Sequence, residues 1–425
     1  MKRTLVPALV VAAALIGPAS AGADVVTTWD RTMVAALDAA NVPPPPAMRD
    51  AAIVQASVFD AVNGIARRYT AVHVQPAAAP GASRAAAAAG AAHEALVALF
   101  PGQQATLDQR LAETLAQLSE DEDGGSSIAR GLAWGKTVAD EILAWRANDG
   151  FTAVLPPYTP AGTPGRWQPT PPAFLGPLFR QFATMTTWAL ASPSQFLPAP
   201  PPPLGSAQYA RDFNEVKTLG SSTSALRTPF QTETAKFWQG DTPAAIWNRV
   251  ADDLAERTDA SLLTNARVLA LMNMALADAV IAIWNAKNTF DTWRPITAIR
   301  QAAADSNPDT APDSEWAPLI ATPPFQEYPA GHPGVSSAAA SVLAHFYGND
   351  TAFSTTSFGL PGVEHRFTSF SSAVAEVENA RVWGGIHFRF ACDVAVGMGA
   401  AVADYVMHTR LLRLTDHGGD ADDGD

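Results

Sequence analysis

Cysteine is nearly absent from this 425-residue chain: there is one, Cys392, so no bridge can form within it. That excludes the small stapled scaffolds. A chain of this length, 48% hydrophobic, can rely on a large core instead. Cys392 lies in an apolar segment and reads as a buried small hydrophobe. Positive charge is also scarce, with 28 Lys+Arg against 41 Asp+Glu, a formal −13. An acidic surface argues against nucleic acid and anionic membranes as partners. A basic pocket within it would be a local exception with a specific purpose. Sustained strand-type alternation is almost missing. Beyond the first segment, no uninterrupted apolar run is long enough to cross a bilayer.

What is present begins with an address. Lys2 and Arg3 precede an apolar run from Leu5 to Ile16, and Ala19-Ser20-Ala21 suits signal-peptidase cleavage near residues 21–23. Residues 1–23 therefore read as a signal peptide of a secreted protein. Its removal leaves a mature charge of about −15, counted from the same residues. Residues 416–425 are almost all Gly and Asp and read as a disordered acidic tail.

Between them, residues 24–415 read as one all-α domain. Trp29, Met33 and Leu37 recur at helical spacing, as do Ile53, Ser57 and Ala61. Helices are expected at 84–100, 103–119 and 126–147, the last stopped by Asn148-Asp149-Gly150. Residues 151–205 are Pro-rich, yet Trp167, Phe174, Leu178, Phe179, Phe182 and Trp188 are too apolar for a solvated linker, so an ordered excursion is expected. Helices resume at 206–219, 242–257, 260–287, 333–347, 371–381 and 386–411.

Three clusters in residues 284–393 carry chemistry. Lys287 ends a long helix, and Pro295 biases Arg294 away from helical geometry, so a helix end and a turn hold two cations. Tyr328-Pro329-Ala330-Gly331-His332-Pro333 precedes a helix whose first N–H groups, with Gly331, form a cradle for an oxyanion. In Arg381-Val-Trp-Gly-Gly-Ile-His387 the glycine pair permits a break, so Arg381 and His387, the latter on the first turn of the next helix, face one pocket. Alone, each cluster has an ordinary reading: a helix-end cation, a Gly/Pro turn, a helix breaker. Together, two Arg, one Lys, two His and a glycine N–H match a tetrahedral anion, with Arg giving planar forks and Lys a compact charge.

In these three spacings the chain resembles the superfamily of vanadium-dependent haloperoxidases and type 2 phosphatidic acid phosphatases. Its motifs are a Lys and an Arg-Pro with six residues between them, Pro-Ser-Gly-His, and an Arg and a His with five residues between them. The resemblance implies two four-helix-bundle-like halves. It implies vanadate, or phosphate in its place, held by Lys287, Arg294, Gly331 and Arg381. His387 would bind vanadium and His332 act as acid–base partner, with Lys287 polarising bound peroxide. Trp284, Phe325 after Pro323-Pro324, and Trp293-Arg294-Pro295 look like the fungal chloroperoxidase context, with Trp284 and Phe325 on the halide side or simply in the core. The implied activity is oxidation of halide by hydrogen peroxide to hypohalite. An acid phosphatase acting on a phosphate monoester through a phosphohistidine, or a non-catalytic phosphate- or vanadate-binding protein, are the alternatives. Two positions depart from the pattern: Ala330 stands at the Ser, and Ala391 where an Asp is common, leaving the partner that orients His387 unidentified.

Overall fold

Side-chain caps start most of the helices. Asp24 accepts from the Thr27 N–H at 2.9 Å, and Ser83, Ser206, Thr242 and Ser261 do the same for later helices. Thr228 and Ser369 form complete capping boxes. In the computed structural model, which describes residues 24–121, 125–258 and 260–415, these starts give thirteen α-helices among the described residues. The expected leader and acidic tail lie outside the described residues.

The first group is α1 (Val25–Ala39), α2 (Pro44–Ala66), α3 (Arg84–Leu99), α4 (Gln104–Asp121) and α5 (Gly125–Arg146). Then come α6 (Ala207–Leu219), α7 (Pro229–Phe237) and α8 (Pro243–Arg257). The last group is α9 (Leu262–Phe290), α10 (Pro295–Arg300), α11 (Gly331–Tyr347), α12 (Phe370–Trp383) and α13 (Arg389–Thr409). Helices α2, α3 and α5 pack on one another, and α9 packs with α11 and α13. Helix α2 also lies along α9, and one apolar core running from Val26 to Leu411 takes in both groups. The fold is all-α and bundle-like, as expected.

Sequence periodicity missed four small elements. Helices α7 and α10 have nine and six residues, too few turns for an apolar stripe to show. Strands β1 (Phe353–Thr356) and β2 (Glu364–Phe367) pair antiparallel, with Phe353 opposite Phe367, and four residues each is too short for an alternation to stand out.

Two helices also qualify by length and apolarity to span a bilayer, against expectation: α9 and α13. Asn273 and Asp278 interrupt α9, so a count of unbroken apolar runs passed it over. In the fold, 94% of the most apolar stretch of α9 is buried against protein, and 50% of that of α13.

The excursion between α5 and α6 is ordered. Asp278 of α9 accepts the N–H groups of Trp188, Ala189 and Leu190 at 2.7, 2.8 and 3.0 Å. Arg146 donates to the Thr186 carbonyl at 2.7 Å, and Tyr328 Oη to that of Ala199 at 2.7 Å. Trp167, Phe182 and Trp188 are buried, but Phe174 and Leu178 are 63% and 42% exposed. Those two do not help bury the strap.

Candidate active site

Helix α9 brings Trp284 and Lys287, three residues apart, to one face near its end. The helix runs one turn past Lys287, to Phe290, and Asp291 ends it in the left-handed conformation at φ 51°. Arg294 is the extended N-cap of α10 at φ −80°, ψ 155°, the geometry its following proline demands. Helix α11 starts at Gly331, and Arg381 sits in the last turn of α12. The break falls at Gly384-Gly385, where Gly385 takes φ +79° and leaves no room for a Cβ against Gly220 and Pro318. One expectation is corrected here. His387 is not on the first turn of the next helix: α13 begins at Arg389, Phe388 is its extended N-cap, and His387 lies in the turn before it.

These elements enclose a cavity of about 140 Å³. Gly331, His332, Arg381 and His387 line it together with Trp284 and Phe325, whose rings lie 5.0 Å apart. Lys287 and Arg294 lie just behind that wall. Lys287 Nζ is 5.4 Å from the Phe325 ring centre and donates to the carbonyls of Gln326 and Glu327 at 2.8 and 2.9 Å. Arg294 Nε donates to the Phe325 carbonyl at 2.7 Å, and its Nη1 to the Ile386 carbonyl at 2.9 Å. The same Nη1 lies 3.1 Å from His387 Nε2. Arg381 donates through Nη2 to Gln239 Oε1 at 2.8 Å and through Nη1 to the Trp238 carbonyl at 3.4 Å.

Sequence reasoning missed Glu327, which is wholly buried. Its Oε1 faces His387 Nδ1 at 2.9 Å and accepts the Phe388 N–H at 3.0 Å. A guanidinium only donates, so Nε2 accepts from Arg294 Nη1 and keeps its lone pair, and the neutral ring carries its proton on Nδ1, facing Glu327. Glu327 directly precedes the Tyr-Pro-Ala-Gly-His run. An acid beside a Gly-His turn was the one signal available.

Three buried cations thus meet one buried carboxylate. Burial holds Lys287 well below the usual ammonium range, and nearby Arg294 pushes it the same way. Burial takes Arg294 down to about 9 and Arg381 to about 10. Burial first, then the cations, also holds both His332 and His387 well below the usual imidazole range, so both rings are neutral. Burial raises Glu327 to about 7, opposed by Lys287 and Arg294. Buried charge of one sign in such excess calls for an opposite charge.

The two departures from the motif pattern touch each other. The Ala330 N–H donates to the Ala391 carbonyl at 3.0 Å, and both residues are fully buried. Ala330 is the N-cap of α11, which therefore starts without a side-chain cap. Asp393 is exposed and points elsewhere.

Known proteins resemble the chain in sequence and in fold. The family model described as the VCPO second helical-bundle domain matches residues 267–414, the stretch holding Lys287 through His387. Vanadium chloroperoxidase of Curvularia inaequalis is 30% identical over 267 residues, covering 50% of this chain and 42% of that protein. The match thus spans less than half the length of that relative. The crystal structure of the first bacterial vanadium-dependent iodoperoxidase superposes with a TM-score of 0.78 at 28% identity, covering 93% of this chain and 97% of the other. A holo-type bacterial vanadium-dependent chloroperoxidase, at 18% identity and a TM-score of 0.68 over 92% and 93% of the two chains, shares the fold. By matched domain and architecture together, residues 267–414 match the VCPO second helical-bundle domain, and the chain as a whole is built like the vanadium haloperoxidases that it resembles.

Proposed function

We propose that the chain is a secreted haloperoxidase that holds vanadate and oxidises halide with hydrogen peroxide to hypohalite. One observation carries the reading: the buried Lys287, Arg294 and Arg381 converge around His332 and His387, with the buried Glu327 on the far side of the His387 ring. The residues fit a tetrahedral oxyanion. Arg294 Nη2 and Arg381 Nε are buried donors with no acceptor among the described residues, and the start of α11 adds backbone N–H groups.

Arg294, Arg381, Lys287 and the Gly331 N–H would hold the oxygens of vanadate. His387 would offer Nε2 to vanadium, its ring fixed by Glu327 through Nδ1. When bound, vanadate supplies a Lewis-acidic centre at which peroxide is activated toward halide. His332, neutral and half-buried on the same cavity, is placed to take or give a proton at an oxygen facing it. Trp284 and Phe325 keep water from that side. Export rests on the leader sequence alone.

The Glu327–His387 pair equally suits a nucleophile at phosphorus, with His332 protonating the leaving alcohol. One assay separates the readings: bromide, iodide and chloride oxidation by peroxide, before and after adding orthovanadate. Activity that appears only with vanadate is expected. Hydrolysis of a phosphate monoester, inhibited competitively by vanadate and without any halide oxidation, overturns the reading in favour of a phosphatase. Anion binding with neither activity leaves a binding protein.

A further inference from the structure

The cavity wall is divided by chemistry. Polar groups cluster at Gly331, His332, Arg381, His387 and Gln239. Eight other lining residues, among them Pro44, Met48, Phe179, Pro323 and Val335, carry no hydrogen-bonding side-chain group. Just before Phe179 in sequence, Phe174, Leu175 and Leu178 are 63%, 51% and 42% exposed. The Leu178 N–H donates to the carbonyl of Pro324, the residue after the lining Pro323, at 2.9 Å. A second cavity of about 260 Å³ adjoins the site and shares His332 and Gln239 with it. Its lining mixes Asp38, Asn41, Asp241 and Thr242 with Leu37, Val42, Ala245 and Phe358.

A halide, a peroxide or a proton gains nothing from the apolar half, since an anion or a hydrogen-bonding solute needs donors or acceptors. The polar half and its neighbouring cavity provide these. A neutral apolar ring gains from every apolar contact, by about 25 cal/mol per Å² covered. A cavity of about 140 Å³ is smaller than drug-sized pockets of about 300–1,000 Å³, so it admits one ring rather than a polycycle. The acidic chain, at −13, also disfavours anionic ligands.

We infer that the apolar half of this cavity binds a small neutral aromatic acceptor and presents it to the oxidised halogen before that species escapes to solvent. The inference rests on the haloperoxidase reading. In balance, peroxide, halide and a proton give hypohalous acid and water. The acceptor ring then forms a carbon–halogen bond while the oxygen–halogen bond breaks, and the displaced ring proton leaves with the oxygen as water.

The test sets phenol against 4-hydroxybenzenesulfonate, its anionic counterpart, with the full vanadate-loaded chain, peroxide and bromide. Reagent hypobromite gives the reference product ratio. The enzyme is expected to favour phenol at least fivefold beyond that reference. Met48→Trp, which fills the apolar half, is expected to bring the ratio back to it. Phe179→Ala, a milder change, should at least halve the preference. A product ratio equal to the reagent's overturns the acceptor site while leaving the haloperoxidase reading intact. Absence of any bromination sinks the haloperoxidase reading itself. In that case saturation-transfer NMR on the vanadate-free protein decides the acceptor site: transfer to phenol, absent for the sulfonate and lost in Met48→Trp, supports it, and no transfer overturns it.

Discussion

Nδ1 of His387 hydrogen-bonds to Oε1 of Glu327 at 2.9 Å, and the same oxygen takes the N–H of the next residue, Phe388. One buried carboxylate therefore fixes both the ring and the backbone that enters α13. The geometry needs an acceptor at that point more than it needs a charge. Glu327→Gln keeps a carbonyl oxygen there and is expected to retain vanadate affinity within a few-fold. Glu327→Ala frees the ring and is expected to weaken affinity by about 10–100-fold, the usual effect of losing a partner of a metal-bound histidine. A titration followed by vanadium-51 NMR reads both. Equal losses in the two variants would show that the charge, not the orientation, is what matters.

Among the described residues Arg381 makes two hydrogen bonds, one of them at 3.4 Å, and its buried Nε finds no acceptor. Such a cation is costly to the protein by itself and is useful only to an anion. Arg381→Met is expected to leave thermal stability without added anion unchanged or raised, by on the order of 1–4 kcal/mol. The parent should gain about 2.7 kcal/mol with orthovanadate at about 100 times its dissociation constant. The variant should lose most of that gain. Melting curves with and without vanadate check both halves. A variant that melts much lower without anion would show Arg381 to be a structural residue.

The helical architecture was legible because long helices repeat their apolar positions many times: α3, α5, α9 and α13 all lie where the periodicity put them, to within a few residues at their ends. The anion-site residues were legible as types at fixed spacings. What held them was not. Glu327 reaches His387 across 60 positions of sequence, and Gln239 reaches Arg381 across 142. No local period encodes such contacts. The placement of His387 was missed for a related reason: the extended conformation of Phe388 is set by Glu327 taking its N–H, a tertiary effect.

Asp30 of α1 and Asp252 of α8 bring their carboxyls together in the interior, where Gln55 donates to Asp30 Oδ1 at 2.6 Å. Burial raises both above the ordinary aspartate value of about 3.9, Asp30 to about 7; Asp30 pushes Asp252 up further, while the hydrogen bond from Asp252 eases Asp30 and the Arg31 charge eases both. A raised native pKa means the folded state holds its proton longer than the unfolded one. Stability is then highest below about pH 4 with respect to this pair, and falls as pH rises toward neutrality. Asp252→Asn supplies an amide donor to Asp30 and removes one of the two acids. It is expected to stabilise by on the order of 2–4 kcal/mol at pH 8 and by little at pH 4.5. Urea unfolding at the two pH values measures the difference, and an equal effect at both would remove the pair as its cause.

Ala330 caps α11 without a hydroxyl, one residue from Gly331 and two from His332. A serine there would find few partners in the protein. Its natural N-cap acceptors' donors are the N–H groups two and three residues on, and the third is Pro333, which has none. Only the His332 N–H is left, so Ala330→Ser is expected to change the melting temperature little, against about 1 kcal/mol for an ordinary cap. The hydroxyl remains free to donate to a bound oxyanion. One such charge-assisted bond is worth about 1.5–3 kcal/mol, and the measured gain in vanadate affinity should therefore be about 10- to 100-fold. Because the Ala330 N–H already donates to the Ala391 carbonyl, the backbone at this point is held whether or not the hydroxyl is present. A tighter site with an unchanged melting temperature would mark Ala330 as a position that sets anion affinity; a higher melting temperature with unchanged affinity would mark it as a missing cap.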